Sequence, residues 1–207
     1  MTIRRGESWG VVGSHDPGLP VARSDREFHR LFGNGASTVH LEGGDLALAL
    51  GASARASSPS SRVTSFVVDA YDVTWTSPDG AVAHVSCLSH CVHGSWWRGD
   101  SWWFSAGGFV DGREVLPRSH PNDGIAEVLH VGAAMSLRQR YAARRRQRWG
   151  THLPHPDLRV VRGTSLAWES DRALSLVVDD TTIGRAVKVS ISVVPDACRV
   201  SVATGIE

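Results

Sequence analysis

The sequence predicts a mainly β chain: an antiparallel sandwich or barrel-like domain with one inserted helix, preceded by a short mixed α/β segment. Three observations predict it. From residue 63 onward, short segments rich in Val, Ser, Thr and Trp alternate apolar and polar residues, the period of a half-buried strand. Turn-forming clusters separate them at Ser77-Pro78-Asp79-Gly80, Arg98-Gly99-Asp100 and Asn122-Asp123-Gly124. One stretch, Leu137 to Trp149, drops the period of two and reads as a helix.

Taken in order, residues 1–24 are Gly/Pro-rich and read as irregular. Ser24-Asp25 caps a short helix through Leu31, and Val39 to Leu41 reads as a strand. Asp45 to Leu50 is a short helix stopped by Gly51. Residues 52–62 are small and polar, a linker. Strands follow at 63–75, 81–93, 101–107, 126–131, 158–168, 173–178, 186–194 and 197–203. Ser136 caps the inserted helix and Gly150 ends it.

Composition sets limits on function. The chain has 207 residues and a formal net charge of +1, which argues against nucleic acid as a partner. Of 22 basic residues only Lys188 is lysine, a bias that fits a GC-rich bacterial genome and supplies guanidinium forks. Three cysteines, Cys87, Cys91 and Cys198, do not make a disulfide framework. There is no signal-peptide core and no apolar run of membrane-spanning length, so the expected location is cytoplasmic.

Several motifs in order resemble the C-terminal domain of the bacterial diacylglycerol kinase-like lipid kinases. Phe104 to Phe109 contains a glycine-bearing strand, and Pro117-Arg118-Ser119-His120-Pro121-Asn122-Asp123-Gly124 with Ile125 to Val131 is similar to the family's Asn/Asp-Asp-Gly turn and following strand. Gly150-Thr151-His152 looks like its G-x-H loop, and Val178 to Gly184 like its V-D-G-E-x-x-G hairpin. Val193 to Val200 looks like its final strand, and Asp45 to Gly51 like the helix joining its two domains.

The resemblance implies three segments: 1–51, a short remnant of the kinase N-terminal domain plus the joining helix; 52–62, a linker; and 63–207, the lipid-kinase-like β domain. Only 44 residues precede the joining helix, too few for the βα units of a nucleotide-binding domain. Glu42-Gly43-Gly44-Asp45-Leu46 is only superficially like the family's phosphate-cradling G-G-D-G-T loop. The implied function is a lipid kinase homologue that is non-catalytic on its own and binds a lipid, a phosphorylated ligand or a partner. The alternatives are a lipid kinase component that receives ATP and magnesium from a partner or an oligomer, and a β-sandwich with a structural or interaction role.

Site residues follow from the same resemblance. Asp179 matches the general base that would act on the lipid hydroxyl, or is a plain turn residue. Asp123, with the carbonyls of His120 and Ile125, matches a magnesium site; the competing reading is an Asx turn.

Other groups stand on chemistry alone. His84, Cys87, His90, Cys91 and His93 are zinc-like residue types, but on one strand Cys87 and Cys91 lie roughly 13 Å apart. Ser95 to Trp103 reads as a hairpin with paired tryptophans, either an apolar lip with Trp97 and Trp103 toward lipid or cross-strand packing. The inserted helix carries six arginines, with Leu137, Tyr141, Ala142, Arg145 and Trp149 along one stripe. Arg144 and Arg148 would lie on an anionic membrane surface, or on a solvated face.

Overall fold

The computed structural model describes residues 9–52 and 62–203. Among the described residues thirteen strands and three α-helices follow in chain order. The N-terminal part contains β1 (Val11–Ser14), β2 (Val21–Ala22), α1 (Asp25–Gly33), β3 (Thr38–Leu41) and α2 (Asp45–Ala49). Then come β4 (Arg62–Thr76), β5 (Val82–Cys87), β6 (His90–Ser95), β7 (Arg98–Ser105), β8 (Phe109–Val110), β9 (Arg113–Glu114) and β10 (Ala126–Val131). Helix α3 (Leu137–Arg146) runs into a 3-10 turn at Gln147–Trp149, and β11 (Leu158–Gly163), β12 (Ser165–Val178) and β13 (Thr181–Ala203) complete the chain.

The chain is mainly β, as its alternation predicts. Eleven strands form one sheet whose main path runs β1-β4-β13-β12-β6-β7-β10-β11, all pairs antiparallel. Strand β5 pairs with β4, while β3 lies parallel to both β13 and β2. Strands β8 and β9 form a separate two-stranded hairpin. Residues up to 52 therefore share a sheet with residues from 62 onward. The predicted linker 52–62 falls outside the described residues except at its ends.

The helix limits follow from their caps. Ser24 accepts from the Glu27 amide at the start of α1, and Ser136 forms a reciprocal capping box with Gln139 at the start of α3. Gly51 and Gly150 take positive φ after their helical turns.

Other limits differ from the sequence expectation. Val11–Ser14 is a strand edging β4, although its neighbours suggest coil. Segment 81–93 is two strands joined at Leu88-Ser89, so the straight-strand spacing between Cys87 and Cys91 does not apply. The tryptophan hairpin turns at Trp96-Trp97 rather than at Arg98-Gly99-Asp100, because Gly94 and Gly99 with positive φ allow the backbone to twist there. Segments 173–178 and 186–194 belong to longer strands, with register shifts at 169/174 and 194/198.

Three cores hold the layers. Phe28, Leu41, Leu46, Val68 and Val200 unite the N-terminal segment with β4 and β13. Tyr71, Phe104, Val128, Leu176 and Ile191 fill the centre. Trp96, Trp103, Leu129, Met135 and Ala143 carry α3. Gly107 has room for no side chain, since a Cβ there would collide with Ala49 of α2. Helix α2 thus sits directly on the turn after β7.

Helix α3 presents the opposite face to the one its apolar stripe suggests. Leu137, Tyr141 and Trp149 are exposed, whereas Arg140, Ala143 and Gln147 are buried. Arg140 explains the inversion: its guanidinium donates to the carbonyls of Met135, Trp96, Gly99 and Gly132 at 2.6–2.9 Å. The Trp96 indole donates back to the Arg140 carbonyl at 3.0 Å. Five directional bonds outweigh the burial of three apolar side chains. Among the described residues no helix is long and apolar enough to cross a membrane.

Candidate functional site

Asp179 opens the two-residue turn between β12 and β13. It and Asp180 both have positive φ, 44° and 60°, the conformation of a type I′ hairpin that normally takes Asn-Gly. What holds an aspartate there is its carboxylate, which is fully buried. Oδ1 accepts from the amides of Ser89 and His90 at 2.9 and 3.0 Å, and Oδ2 from the Leu88 amide at 2.9 Å. Nδ1 of His29 stands 3.0 Å from Oδ2, and the Cys87 thiol 3.5 Å from Oδ1. Asp179 therefore caps the β5–β6 turn and ties α1 to it. Arg26 on the same helix donates to the Asp180 carbonyl.

Around this turn three more groups converge. The Asp25 carboxylate accepts from the amides of Asp45, at 2.6 Å, and Leu46, at 3.3 Å, so it caps α2, whose own N-cap residue is Gly44. The Asp45 carboxylate accepts from Asp111 and Gly112, both at 2.8 Å, holding the turn of the β8–β9 hairpin. His90, 2% exposed, stands between them. Its Nδ1 is 3.5 Å from Asp45 Oδ2 and 4.0 Å from Asp25 Oδ2, while its Nε2 is 3.4 Å from Asp180 Oδ1.

The electrostatics follow from burial and crowding. Burial alone would pull the His90 imidazole down. The bond to Asp180 and the charges of Asp179, Asp25 and Asp45 outweigh it and hold it at about 9. Burial pushes Asp25 up to about 6, against the Asp45 amide and the His90 charge. The Asp180 carboxyl is lowered by His90.

The other expected site residues are placed as follows. Asp123 forms an Asx turn, its Oδ1 accepting from the Ile125 amide at 3.0 Å, and the Arg162 guanidinium is 3.8 Å from its Oδ2. Nδ1 of His120 accepts from the Asn122 amide at 3.3 Å. The neighbouring Asp69 carboxylate accepts from the Gly124 and Asp196 amides and from Asn122. These bonds hold the turn, while Asn122 Oδ1 is buried with no hydrogen-bond partner among the described residues, and the Arg162 guanidinium brings positive charge to the Asp123 carboxylate.

Of the expected lipid contacts, Trp97 and Arg148 are exposed. Trp103 is buried, its indole donating to Ser101, and cannot serve as an exposed lip. Arg144 is packed between the rings of Trp96 and Trp103, 5.6 and 5.4 Å from their centres, and pairs with Asp111 at 3.0 Å. Cation–π packing and an ion pair remove it from a membrane-facing role.

A cleft of about 680 Å³ opens between the Leu116–Arg118 loop, the Gly150–Pro154 loop and strands β10 and β11. Leu116, Pro117, Leu153, Pro154, Leu158 and Val160 line its walls, with Arg118, Arg162 and Glu127 as its charged groups. Arg162 Nε is 2.5 Å from Glu127 Oε1.

The reading from sequence missed Asp25, Asp45 and His90 as a group. Asp25 reads as the start of a helix, Asp45 as part of a motif and His90 as one of a zinc-like run. Only the fold brings positions 25, 45 and 90 together.

No family model matches the sequence, and no curated protein matches it. Solved structures do. A candidate diacylglycerol kinase from Bacillus anthracis str. Sterne superposes with a TM-score of 0.55 at 12% identity, covering 88% of this chain and 77% of that one. A diacylglycerol kinase and a second candidate from the same organism give TM-scores of 0.44 and 0.48 at 12% and 11% identity; each alignment covers 79% of this chain, and 66% and 68% of theirs. At such identity the first likeness is one of fold alone, and that fold is diacylglycerol kinase-like.

Proposed function

We propose that this chain is a non-catalytic lipid-kinase-like protein that binds an amphiphile with an acidic headgroup. The cleft beside β10 and β11 carries this reading. Its volume lies within the range of about 300–1,000 Å³ usual for small-molecule sites. Its walls are apolar, and Arg118 and Arg162 supply guanidinium forks suited to a phosphate or carboxylate. Arg162 is half exposed, so a headgroup can exchange with Glu127 for it.

Asp179 supports the absence of catalysis. A general base must reach the hydroxyl it deprotonates. This carboxylate is fully buried, with each oxygen committed to amides, and that holds whether ATP comes from this chain or from a partner. In this reading residues 1–51 are a kinase-domain remnant and 63–207 the ligand-binding β domain. The β2–α1–β3 segment packs onto that domain by pairing β3 in parallel with β13.

Calorimetric titration with dioctanoyl phosphatidic acid, dioctanoylglycerol and ATP with magnesium tests the proposal. The expected result is binding of the phosphatidic acid, at least tenfold tighter than the neutral lipid, and lost on Val160→Trp. Equal affinity for both lipids overturns the headgroup assignment. Phosphate transfer from ATP to dioctanoylglycerol by the isolated chain overturns the non-catalytic reading.

A further inference from the structure

We propose that Asp25, Asp45 and His90 form a binding site for a divalent metal cation of the manganese or zinc class. Their nearest ligand atoms all lie within 4.8 Å of one another. Nδ1 of His90 is 3.5 Å from Asp45 Oδ2 and 4.0 Å from Asp25 Oδ2. A cation at the usual ~2.0–2.2 Å from each donor fits between them once the three side chains draw in around it.

The second observation is the state of His90 itself. The residue is buried, and its Nδ1, aimed at the two carboxylates, makes no hydrogen bond among the described residues. A buried ring nitrogen without a partner costs about 1–3 kcal/mol unless something binds it. Nδ1 faces the two carboxylate oxygens at 3.5 and 4.0 Å, with room between the three atoms for one ion.

The surroundings are those of a ligand set. Nε2 of His90 lies 3.4 Å from both the Asp180 backbone nitrogen and Asp180 Oδ1, and with the proton on Nε2 it is the carboxylate that accepts from it. A metal-bound histidine commonly donates its second ring N–H to a carboxylate, which fixes the tautomer that leaves Nδ1 free to coordinate. Each aspartate is oriented by two backbone amides, Asp25 by those of Asp45 and Leu46, and Asp45 by those of Asp111 and Gly112. Among the described residues neither pairs with an arginine or lysine that would compete with a cation. Gly44, at φ 99°, lets α1 and α2 approach: a Cβ there would stand 2.7 Å from Asp25 Oδ1.

The donor set selects the ion. One imidazole and two carboxylates suit manganese or zinc, whereas magnesium prefers oxygen ligands throughout. Three protein ligands leave at least one position for water. The site is independent of the proposed lipid cleft, which shares none of its residues.

The test uses the full chain, stripped with chelator and loaded with Mn2+ or Zn2+. Elemental analysis after gel filtration is expected to find about one ion per chain. Pulsed electron paramagnetic resonance of the Mn2+ form is expected to show modulation from a directly bound imidazole nitrogen, absent in His90→Gln. Because His90→Gln can fail to fold, Asp180→Asn on the exposed turn gives the second measurement, with affinity expected to fall about 10–100-fold. Retained metal well below one ion per chain, an Mn2+ spectrum without nitrogen modulation, or unchanged affinity in Asp180→Asn each overturns the site.

Discussion

Nδ1 of His29 lies 3.0 Å from Oδ2 of Asp179, joining the first helix to a hairpin turn 150 residues later. The bond to Asp179 raises the His29 imidazole above 6.5, more than partial burial lowers it. A raised folded-state value means the contact stabilises fully below pH 6.5 and is lost as pH rises through the folded value. The wild-type chain should therefore lose about 1–2 kcal/mol of stability from this contact between pH 6 and the alkaline side of that value. Urea unfolding of His29→Gln beside wild type checks it: the variant should be weaker at pH 6, and the difference should shrink as pH rises.

Asp179→Ala should cost about 3 kcal/mol or more, because it strands three buried amides and leaves a non-glycine residue at positive φ with nothing to hold it. Asp179→Asn should recover little, since its amide group would point N–H at N–H. Thermal melts measure both. If Asp179 were a base facing an open cleft, either change would leave stability near wild type.

The same turn shows where sequence reasoning succeeds and where it stops. Ser24, Ser136, Gly51 and Gly150 mark helix ends through local capping chemistry, and the structure places them as expected. The position of Asp179 in a hairpin is legible for the same reason. Its amide partners are not, because Leu88, Ser89 and His90 reach it only through the pairing of β12 with β6. Asp25, Asp45 and His90 likewise meet where two helix starts and three turns converge, a relationship no spacing encodes. The orientation of α3 was misleading because periodicity weighs apolar stripes and has no means of showing that Arg140 has four carbonyls waiting.

Arg140 gives a direct check on that orientation. Four carbonyls depend on one planar guanidinium, and an ammonium cannot span them. Arg140→Lys should destabilise the chain by about 3 kcal/mol, nearly as much as Arg140→Ala, as read by chemical denaturation. An arginine on a solvated face would change stability by less than about 0.5 kcal/mol on either substitution.

The three thiols should be inert in the folded chain. Cys87 and Cys91 are fully buried, and burial pushes both well above the ordinary thiol range. Burial holds Cys198 at about 11. The thiolate is the reactive form, so alkylation at pH 8 should be slow and should rise to three groups per chain on unfolding. Mass spectrometry after a brief iodoacetamide pulse, with and without denaturant, measures this. Fast labelling of any one thiol in the native chain would contradict the burial of its strand.

The exposed stripe of α3 can be tested by what its removal does not do. Leu137, Tyr141 and Trp149 are 66%, 59% and 66% exposed, so burial of their side chains contributes little to folding. Leu137→Ser with Tyr141→Ser should shift unfolding free energy by less than about 0.5 kcal/mol. The control is Ala143→Leu on the opposite face, where the helix packs against Trp96 and Trp103. Adding volume to that contact should cost about 1–3 kcal/mol through overpacking. If the helix were instead turned with its apolar stripe inward, the two results would exchange: the double serine variant would unfold early and Ala143→Leu would be tolerated.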